Sequence, residues 1–507
     1  MPRLLPSRLL ALAAVVLAAA SAGAQPAPLS GFDGYVERAV REWKIPGLAV
    51  AVVKDGEIVF AKGYGVRRLG SPEPVDDRTL FAIGSTTKAM TAAALGMLVD
   101  EGTLHWDDRV VTHLPWFALK DPYATRELRI RDLLTHRGGL PNTDALWYEQ
   151  PRSARQVIEG LREVDLETSM RSHFTYQNVM YATAGEVVAA VSGIPWTEFV
   201  TTRIFKPLGM TGTIATAATL DRQPNVAQPH FEIDGTVEVI RNASVDSVAP
   251  AGAVWSSVRD MARWSALLLA GGVVTGTGSA GPRLLSEKVV TELFTPQTMV
   301  GPDGFYPTAR LTRPRWTTYG LGWFQEDYAG EKVDFHTGSI DGMVAIHGLI
   351  RDRNLGVFVL ANLDHAELRH ALMYRVFDAY LGRPARDWSA DVHALYDGLA
   401  KEGEAQRKKA EAVRVAGTSP SLPLDRYAGT YEHPAYGSLT VARDGPGLRL
   451  GFGAGYAGPL THFHYDTFTA TWDARWRGTD RVTFQIDGQG LAAAIVTPFG
   501  TFTRRQP

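Results

Sequence analysis

The sequence predicts an α/β fold: one sheet flanked by helices, a helical lobe inserted between the two halves of that sheet, and a small all-β domain at the C-terminus. Three observations predict it. Buried-strand patterns occur near residue 50 and return near residue 340. Between them, from about residue 85 to 310, the chain reads mostly as helices and loops. From Leu424 onward, short runs rich in Tyr, Phe, Val and Thr alternate with Gly, Asp and Pro turns, the pattern of a small β module. Strands at both ends of a helical middle place those ends in one sheet, and functional clefts commonly form between such lobes.

Composition sets the outer bounds. The chain has 507 residues, enough for two or three domains, with 45% hydrophobic and 21% charged residues, as in ordinary globular proteins. A net charge of −2 provides no global field for nucleic acid or an anionic membrane. With no cysteine, disulfides, a thiol nucleophile and cysteine-ligated metal sites are excluded. Arg3 and Arg8 flank a basic n-region, Leu9 to Ala20 is apolar, and Ser21-Ala22-Gly23-Ala24 supplies a small-residue cleavage site. This reads as an export signal over residues 1–24, cleaved after Ala24, and places the mature chain in the bacterial periplasm or outside the cell. No cysteine follows the site, so the chain is not a lipoprotein, and no later segment is apolar and long enough to span a bilayer.

In chain order, a helix is expected from Phe32 to Trp43, closed by Pro46 and Gly47. Leu48–Val53 and Ile58–Tyr64 read as a hairpin with Asp55-Gly56 in its turn. An apolar helical pattern opens at Ser85 and stops at Gly102. Leu133 to Pro141 ends a helix and turns, and helices follow over Ala182–Ser192 and Ala253–Leu269. Gly271 to Gly281 is Gly/Ser/Thr-rich and reads as a mobile surface loop. Strands return at Glu331–His336, before a Gly-rich turn, and at Met343–Ile350 and Leu355–Leu360; a helix follows over Glu367–Tyr380. Residues 389–423 read as a charged helical linker ending in Gly/Ser/Pro, and residues 424–507 as the small, barrel-like β domain.

Three clusters carry chemistry. Ser85 and Lys88 stand three residues apart at the start of the apolar helix, so their side chains share one face. A serine hydroxyl needs a neighbouring base, and a lysine amine serves only when burial or nearby charge keeps it neutral. Any serine N-cap followed by a lysine has the same spacing, so this pair alone decides little. The second cluster is Tyr176-Gln177-Asn178: the hydroxyl can relay protons, and the amide can bond both substrate and lysine. The third is His336-Thr337-Gly338-Ser339 at a strand end, where an edge can align substrate backbone and an amide can donate to an oxyanion.

In this order, S-x-x-K, Y-x-N and H-T-G resemble the three motifs of the serine β-lactamase and penicillin-binding-protein-like hydrolases. Tyr176 and His336 follow Ser85 by 91 and 251 residues, similar to the class C β-lactamase branch. Leu133–Pro141, Ile204–Met210, Pro250–Gly252 and Tyr319–Trp323 resemble the same family, and the resemblance covers about residues 32–383. It implies a β-lactamase-like sheet with a helical lobe in a hydrolase domain spanning residues 25–388. It also implies Ser85 as the acylated nucleophile, Lys88 and Tyr176 as the proton-transfer pair, and Asn178, Thr337, Gly338 and Ser339 as substrate-binding positions. The backbone N–H groups of Ser85 and Ser339 would form the oxyanion hole; which of Lys88 and Tyr176 takes the serine proton stays open.

One residue departs from the family pattern. His336 stands where β-lactamases and transpeptidases usually carry a lysine for a substrate carboxylate. Histidine is shorter and mostly neutral near pH 7. The H-T-G form resembles the D-aminopeptidase and CubicO-type peptidase branch, in which this histidine contributes to the site and several members carry extra C-terminal β domains.

The expected activity is that of an exported serine hydrolase on small-molecule or peptide substrates, peptide or amide bonds first. Small esters come second and β-lactams third; a scaffold that senses acylation without turnover is the non-enzymatic alternative. No cofactor, nucleic-acid partner or metal is implied, and homo-oligomeric assembly is left open. His462-Phe-His464-Tyr-Asp466 has metal-motif spacing on one strand face, but no fourth ligand, and reads as a satisfied surface cluster. His136 reads as a helix-end side chain bonding backbone, and Trp147, Trp255 and Trp323 as core.

Overall fold

The two ends of the main domain meet in one eight-stranded sheet. Its strand order is Glu57–Gly65, Gly47–Lys54, Leu355–Ala361, Met343–Ile350, Glu331–Ile340, Phe324–Tyr328, Thr317–Tyr319 and Thr298–Met299. The computed structural model describes residues 27–275 and 281–506. The expected signal segment, and residues 276–280 of the expected surface loop, lie outside the described residues.

The segments Leu48–Val53 and Leu355–Ala361 are apolar at every position because both faces are covered. Alternate side chains enter two separate cores. Ala49, Ala51 and Val53 pack towards the helical lobe with Val258, Met261 and Leu268. Leu48, Val50 and Val52 pack on the other face with Phe32, Val36, Leu368 and Leu372. The Phe32–Glu42 and Leu368–Tyr380 helices thus cover one face, and Val258–Leu269 covers the other. The Lys88–Asp100 helix runs through the centre of the lobe and is buried from Lys88 to Leu98. Its apolar character on all sides is that of a helix with no solvent face.

Four expectations about elements are corrected. Ser85 does not open the α-helix: Gly84–Thr87 forms a 3₁₀ turn, Lys88 starts the helix, and the Ser85 side chain caps nothing. The helix expected from Ala253 starts at Val258, because Trp255–Ser256 pairs with Phe81–Ala82 and Ser257 then caps the helix through Asp260 N–H. The 331–336 strand continues to Ile340, so His336–Ser339 lie within it and the turn is Asp341-Gly342. A hairpin, His230–Ile233 with Thr236–Val239, interrupts the region read as helices and loops.

The C-terminal domain is a closed barrel of eight antiparallel strands between Gly429 and Arg504, filled by residues such as Leu439, Leu450, Phe468 and Phe484. The Trp388–Ala412 helix connects it to the main domain. Its first turn is anchored there: Trp388 stacks on Tyr374 at 4.8 Å between centroids and donates Nε1–H to Asp378 at 2.7 Å. The shared face expected for His462, His464 and Asp466 is not formed, because a bulge separates the histidines. His462 bonds the Tyr465 carbonyl, His464 accepts from Val415 N–H, and Asp466 accepts from Ser421. Among the described residues, no helix is long and apolar enough to cross a membrane.

Trp388→Ala removes a fully buried ring and the donor to Asp378 Oδ2, leaving that carboxylate held through Oδ1 by Tyr328 and Arg383. It is expected to cost about 3–5 kcal/mol, measured as a lowered urea midpoint for the main-domain transition.

Candidate active site

A cleft of about 640 Å³ lies between the sheet edge and the helical lobe, and six of the eight predicted site residues line it directly: Ser85, Tyr176, Asn178, His336, Thr337 and Ser339. Lys88 sits beneath Ser85, and Gly338 lies between Thr337 and Ser339 in the strand. The three motifs, distant in sequence, thus converge.

Ser85 and the 331–340 strand approach by main-chain contact. A Cβ on Gly84 would stand 2.6 Å from Ser339 N, and a Cβ on Gly338 would strike the Ile83 carbonyl. Gly84 also has φ +52°, in the left-handed region. Side chains at either position would push the serine turn off the strand. The strand is open here because pairing with Phe324–Tyr328 stops at Phe335. Arg369 holds it from behind, donating to the Gly338 carbonyl at 2.7 Å and to Ser339 Oγ at 3.0 Å while paired with Glu367.

Lys88 is fully buried. Its Nζ lies 2.8 Å from Asn178 Oδ1, 3.0 Å from the Ala251 carbonyl and 3.1 Å from Ser85 Oγ. The first two atoms can only accept. A neutral amine has two N–H bonds for them and one lone pair left for the Ser85 hydroxyl. Burial favours this state and lowers the Lys88 pKa from 10.5 to about 7, against the opposing pull of Asp144. The Asn178 amide cannot turn round, because its Nδ2 donates to Asp144 Oδ1 at 3.0 Å. Asp144 is itself held by Trp147 Nε1 at 2.8 Å.

Tyr176 presents its hydroxyl to Ser85, and burial raises its pKa well above 10, so it stays protonated. Its ring rests on that of His136, 4.2 Å between centroids, and Lys88 Nζ lies 4.7 Å from its ring centre. His136 accepts from Gln177 N–H at 2.9 Å, the backbone bond expected of it, and this bond ties the start of the Asn178–Ser192 helix to the turn beneath Tyr176. His136 is kept neutral by burial, and next by the charge Lys88 carries whenever it is protonated.

His336 is neutral too. Burial, then Lys88, lowers its pKa to about 3. Its Nδ1 donates to the Thr337 carbonyl at 2.6 Å, so its Nε2 accepts from the Tyr319 hydroxyl at 3.0 Å. Both ring nitrogens are therefore occupied within the protein, and the side chain offers no charge to the cleft. The remaining wall is aromatic and acidic: Phe174, Phe305, Tyr306 and Phe324, with Asp144 and Asp303. No lysine or arginine is among the residues lining the cleft.

Residues 32–381 match the Beta-lactamase family. The chain belongs to that family. It is a serine hydrolase of the β-lactamase and penicillin-binding-protein-like superfamily. Residues 413–505 match a domain of unknown function, DUF3471, which coincides with the barrel and the approach to it. Unguisins hydrolase ungD of Aspergillus violaceofuscus is 30% identical over 88% of this chain and 83% of its own length. Protein flp of Staphylococcus aureus is 24% identical over 66% of this chain and 62% of its own. Among solved structures, an octameric penicillin-binding protein homologue from Pyrococcus abyssi superposes with a TM-score of 0.61, at 21% identity, over 94% of this chain and 100% of its own. The D-amino acid amidase of Ochrobactrum anthropi superposes with a TM-score of 0.58, at 21% identity, over 70% of this chain and 99% of its own. These two likenesses concern the fold.

Sequence reasoning missed Asp144, Arg369, Tyr306 and Tyr319. Asp144 carried a signal, since Asn142 and Asp144 follow the Leu133–Pro141 turn that resembles the family. Tyr319 opens the Tyr319–Trp323 stretch that also resembles it. Arg369 lies in a helix buried on nearly all sides and Tyr306 in a loop, without distinguishing spacing.

Gly338→Ala is expected to lower the rate on any substrate by about 10²–10³-fold, as loss of one oxyanion donor does. The check is kcat alongside an unchanged far-UV circular dichroism spectrum.

Proposed function

We propose that this protein is an exported hydrolase that cleaves amide bonds of neutral or cationic peptides, including those with D-residues, through an acyl-enzyme on Ser85. The observation that carries this reading is the Lys88 amine: buried, supplied with two acceptors, and left with a lone pair facing Ser85. In this account Lys88 takes the Ser85 proton as Oγ attacks the carbonyl carbon. The Ser85 and Ser339 N–H groups receive the oxyanion. Tyr176, held protonated, gives its proton to the leaving nitrogen as the C–N bond breaks, and the Lys88 ammonium restores it. Water then attacks the ester carbonyl by the same route in reverse, releasing the acid and freeing Ser85.

Substrate charge follows from the cleft. A β-lactam or a terminal D-alanine presents a carboxylate, and neutral His336 gives it no cation. Asp144 and Asp303 favour a free amino group instead, and the aromatic wall suits an apolar side chain. The name of the D-amino acid amidase agrees with an amide substrate, and that of the unguisins hydrolase with hydrolytic chemistry. The export-signal pattern of the first 24 residues supports a location outside the cytoplasm, and the domain limits proposed are 25–388, 389–423 and 424–507.

The test is a parallel assay on D-alanine p-nitroanilide, D-phenylalanine amide, p-nitrophenyl butyrate and nitrocefin. Amide cleavage abolished by Ser85→Ala, with nitrocefin turned over at least about a hundredfold more slowly, is the expected result. Ester cleavage alone would make the protein a carboxylesterase, and rapid nitrocefin turnover would contradict the role given to His336.

The pH dependence has a definite sign. Acylation needs neutral Lys88, so kcat/KM should rise with pH through an inflection near 7 and stay level up to the range where tyrosines ionise. Stability moves the same way: between pH 7 and 10.5 the unfolded chain holds the Lys88 proton and the folded chain does not, so raising the pH over that window favours folding. Lys88→Ala should remove the inflection and the acylation step while leaving the protein folded.

A further inference from the structure

The barrel touches the two segments that build the cleft, although no barrel residue lines it. Ala454 N–H bonds the Glu149 carbonyl at 2.7 Å and Arg152 bonds the Ala435 carbonyl at 2.7 Å. The contact that reaches both segments, however, is the turn Arg475-Trp476-Arg477, just before the Thr479–Ile486 strand. Arg477 is almost completely buried, its side chain 6% exposed. Its guanidinium lies between the rings of Tyr148 and Tyr456, 4.8 and 4.5 Å from their centres. One nitrogen, Nη2, reaches Glu149 Oε1 at 3.2 Å, Asp341 Oδ2 at 3.2 Å and the Tyr148 hydroxyl at 3.3 Å. Trp476 Nε1 donates to the same Asp341 oxygen at 2.9 Å, and Tyr148 donates to the other.

Each of these partners is a short, stiff step from the chemistry. Asp341 is the turn residue two positions after Ser339, in the strand that faces Ser85. Tyr148 and Glu149 end the turn that begins at Asp144: Tyr148 N–H bonds the Asp144 carbonyl at 2.8 Å, and Asp144 fixes the amide of Asn178. One arginine of the barrel thus joins the oxyanion strand to the segment that orients the partner of Lys88. A buried cation between two carboxylates in aromatic surroundings holds its geometry far better than an exposed pair.

We infer that Arg477 is a positioning residue for the Ser85 reaction, and that the barrel serves as a brace setting the distance between the Ser339 and Asp144 sides of the cleft. The inference rests on the acyl-enzyme reading above. It differs from a direct role for the barrel in substrate binding, because no barrel residue lines the cleft and the brace acts through the Ser339 strand and the Asp144 turn. A brace of this kind affects kcat and leaves KM nearly unchanged.

The experiment compares full-length wild type, Arg477→Met, Arg477→Lys, Arg475→Ala and Ser85→Ala. Arg475 is the control in the same turn: it pairs with Asp234 and Glu238 on a hairpin away from the cleft. The readouts are kcat and KM on the amide substrate, the rate at which a fluorophosphonate labels Ser85, and the thermal midpoint. Arg477→Met should lower kcat and the labelling rate at least about tenfold with KM within about twofold. Arg477→Lys should recover part of that loss, and Arg475→Ala should match wild type. Equal activity losses in Arg477→Met and Arg475→Ala, in proportion to their thermal midpoints, would overturn the inference and leave only a docking contact. Wild-type kcat in Arg477→Met would overturn it as well. Labelling or turnover persisting in Ser85→Ala would instead overturn the acyl-enzyme reading itself.

Discussion

The site depends on one buried amine. Lys88 lies inside the helical lobe, where a lysine has no place unless it is uncharged. A pKa lowered from 10.5 to about 7 corresponds to roughly 5 kcal/mol against the ammonium form. The fold meets that requirement with two fixed acceptors, Asn178 Oδ1 and the Ala251 carbonyl. Those acceptors take both N–H bonds of a neutral amine and aim its lone pair at Ser85. The Asn178–Ser192 helix, the Ala249–Gly252 turn and the Lys88–Asp100 helix must all be in place for this, so packing of the lobe and chemistry of the site are one requirement.

Neutrality extends beyond Lys88. His136 and His336 are both buried beside it and both held uncharged, partly by the charge Lys88 would carry. The aromatic rings of Tyr176, Tyr181 and Tyr319 fill the space between them. Where a lysine in the third motif would bring a permanent cation, this chain has an imidazole tied at both nitrogens. The same substitution explains the preference proposed for neutral or cationic substrates and the tolerance for a buried base a few ångströms away.

Much of this was legible in the sequence, for physical reasons that can be named. The central strands were visible because burial on both faces leaves no polar residue between Leu48 and Val53. The barrel was visible because closed antiparallel strands alternate strictly between Gly and Asp turns. The three motifs were visible because each combines a reactive side chain with a spacing tied to one element. What escaped was set by long-range contact. The 3₁₀ turn at Ser85 exists because the serine turn packs against Gly338, and no local pattern encodes that. Trp255–Ser256 reads as helix until its partner, Phe81–Ala82, is known. Asp144 and Arg369 act through hydrogen bonds to residues 34 and 31 positions away, which leave no period in the chain.

The most direct measurement is the titration of Lys88 itself. In protein labelled with ¹³C at lysine Cε, the Lys88 signal is identified by its loss in Lys88→Arg and followed from pH 5 to 11. This account predicts a titration near pH 7, far from the bulk of the lysines near 10.4. A Lys88 signal that stays that of an ammonium up to pH 10 would contradict it, and the serine would then need a different base.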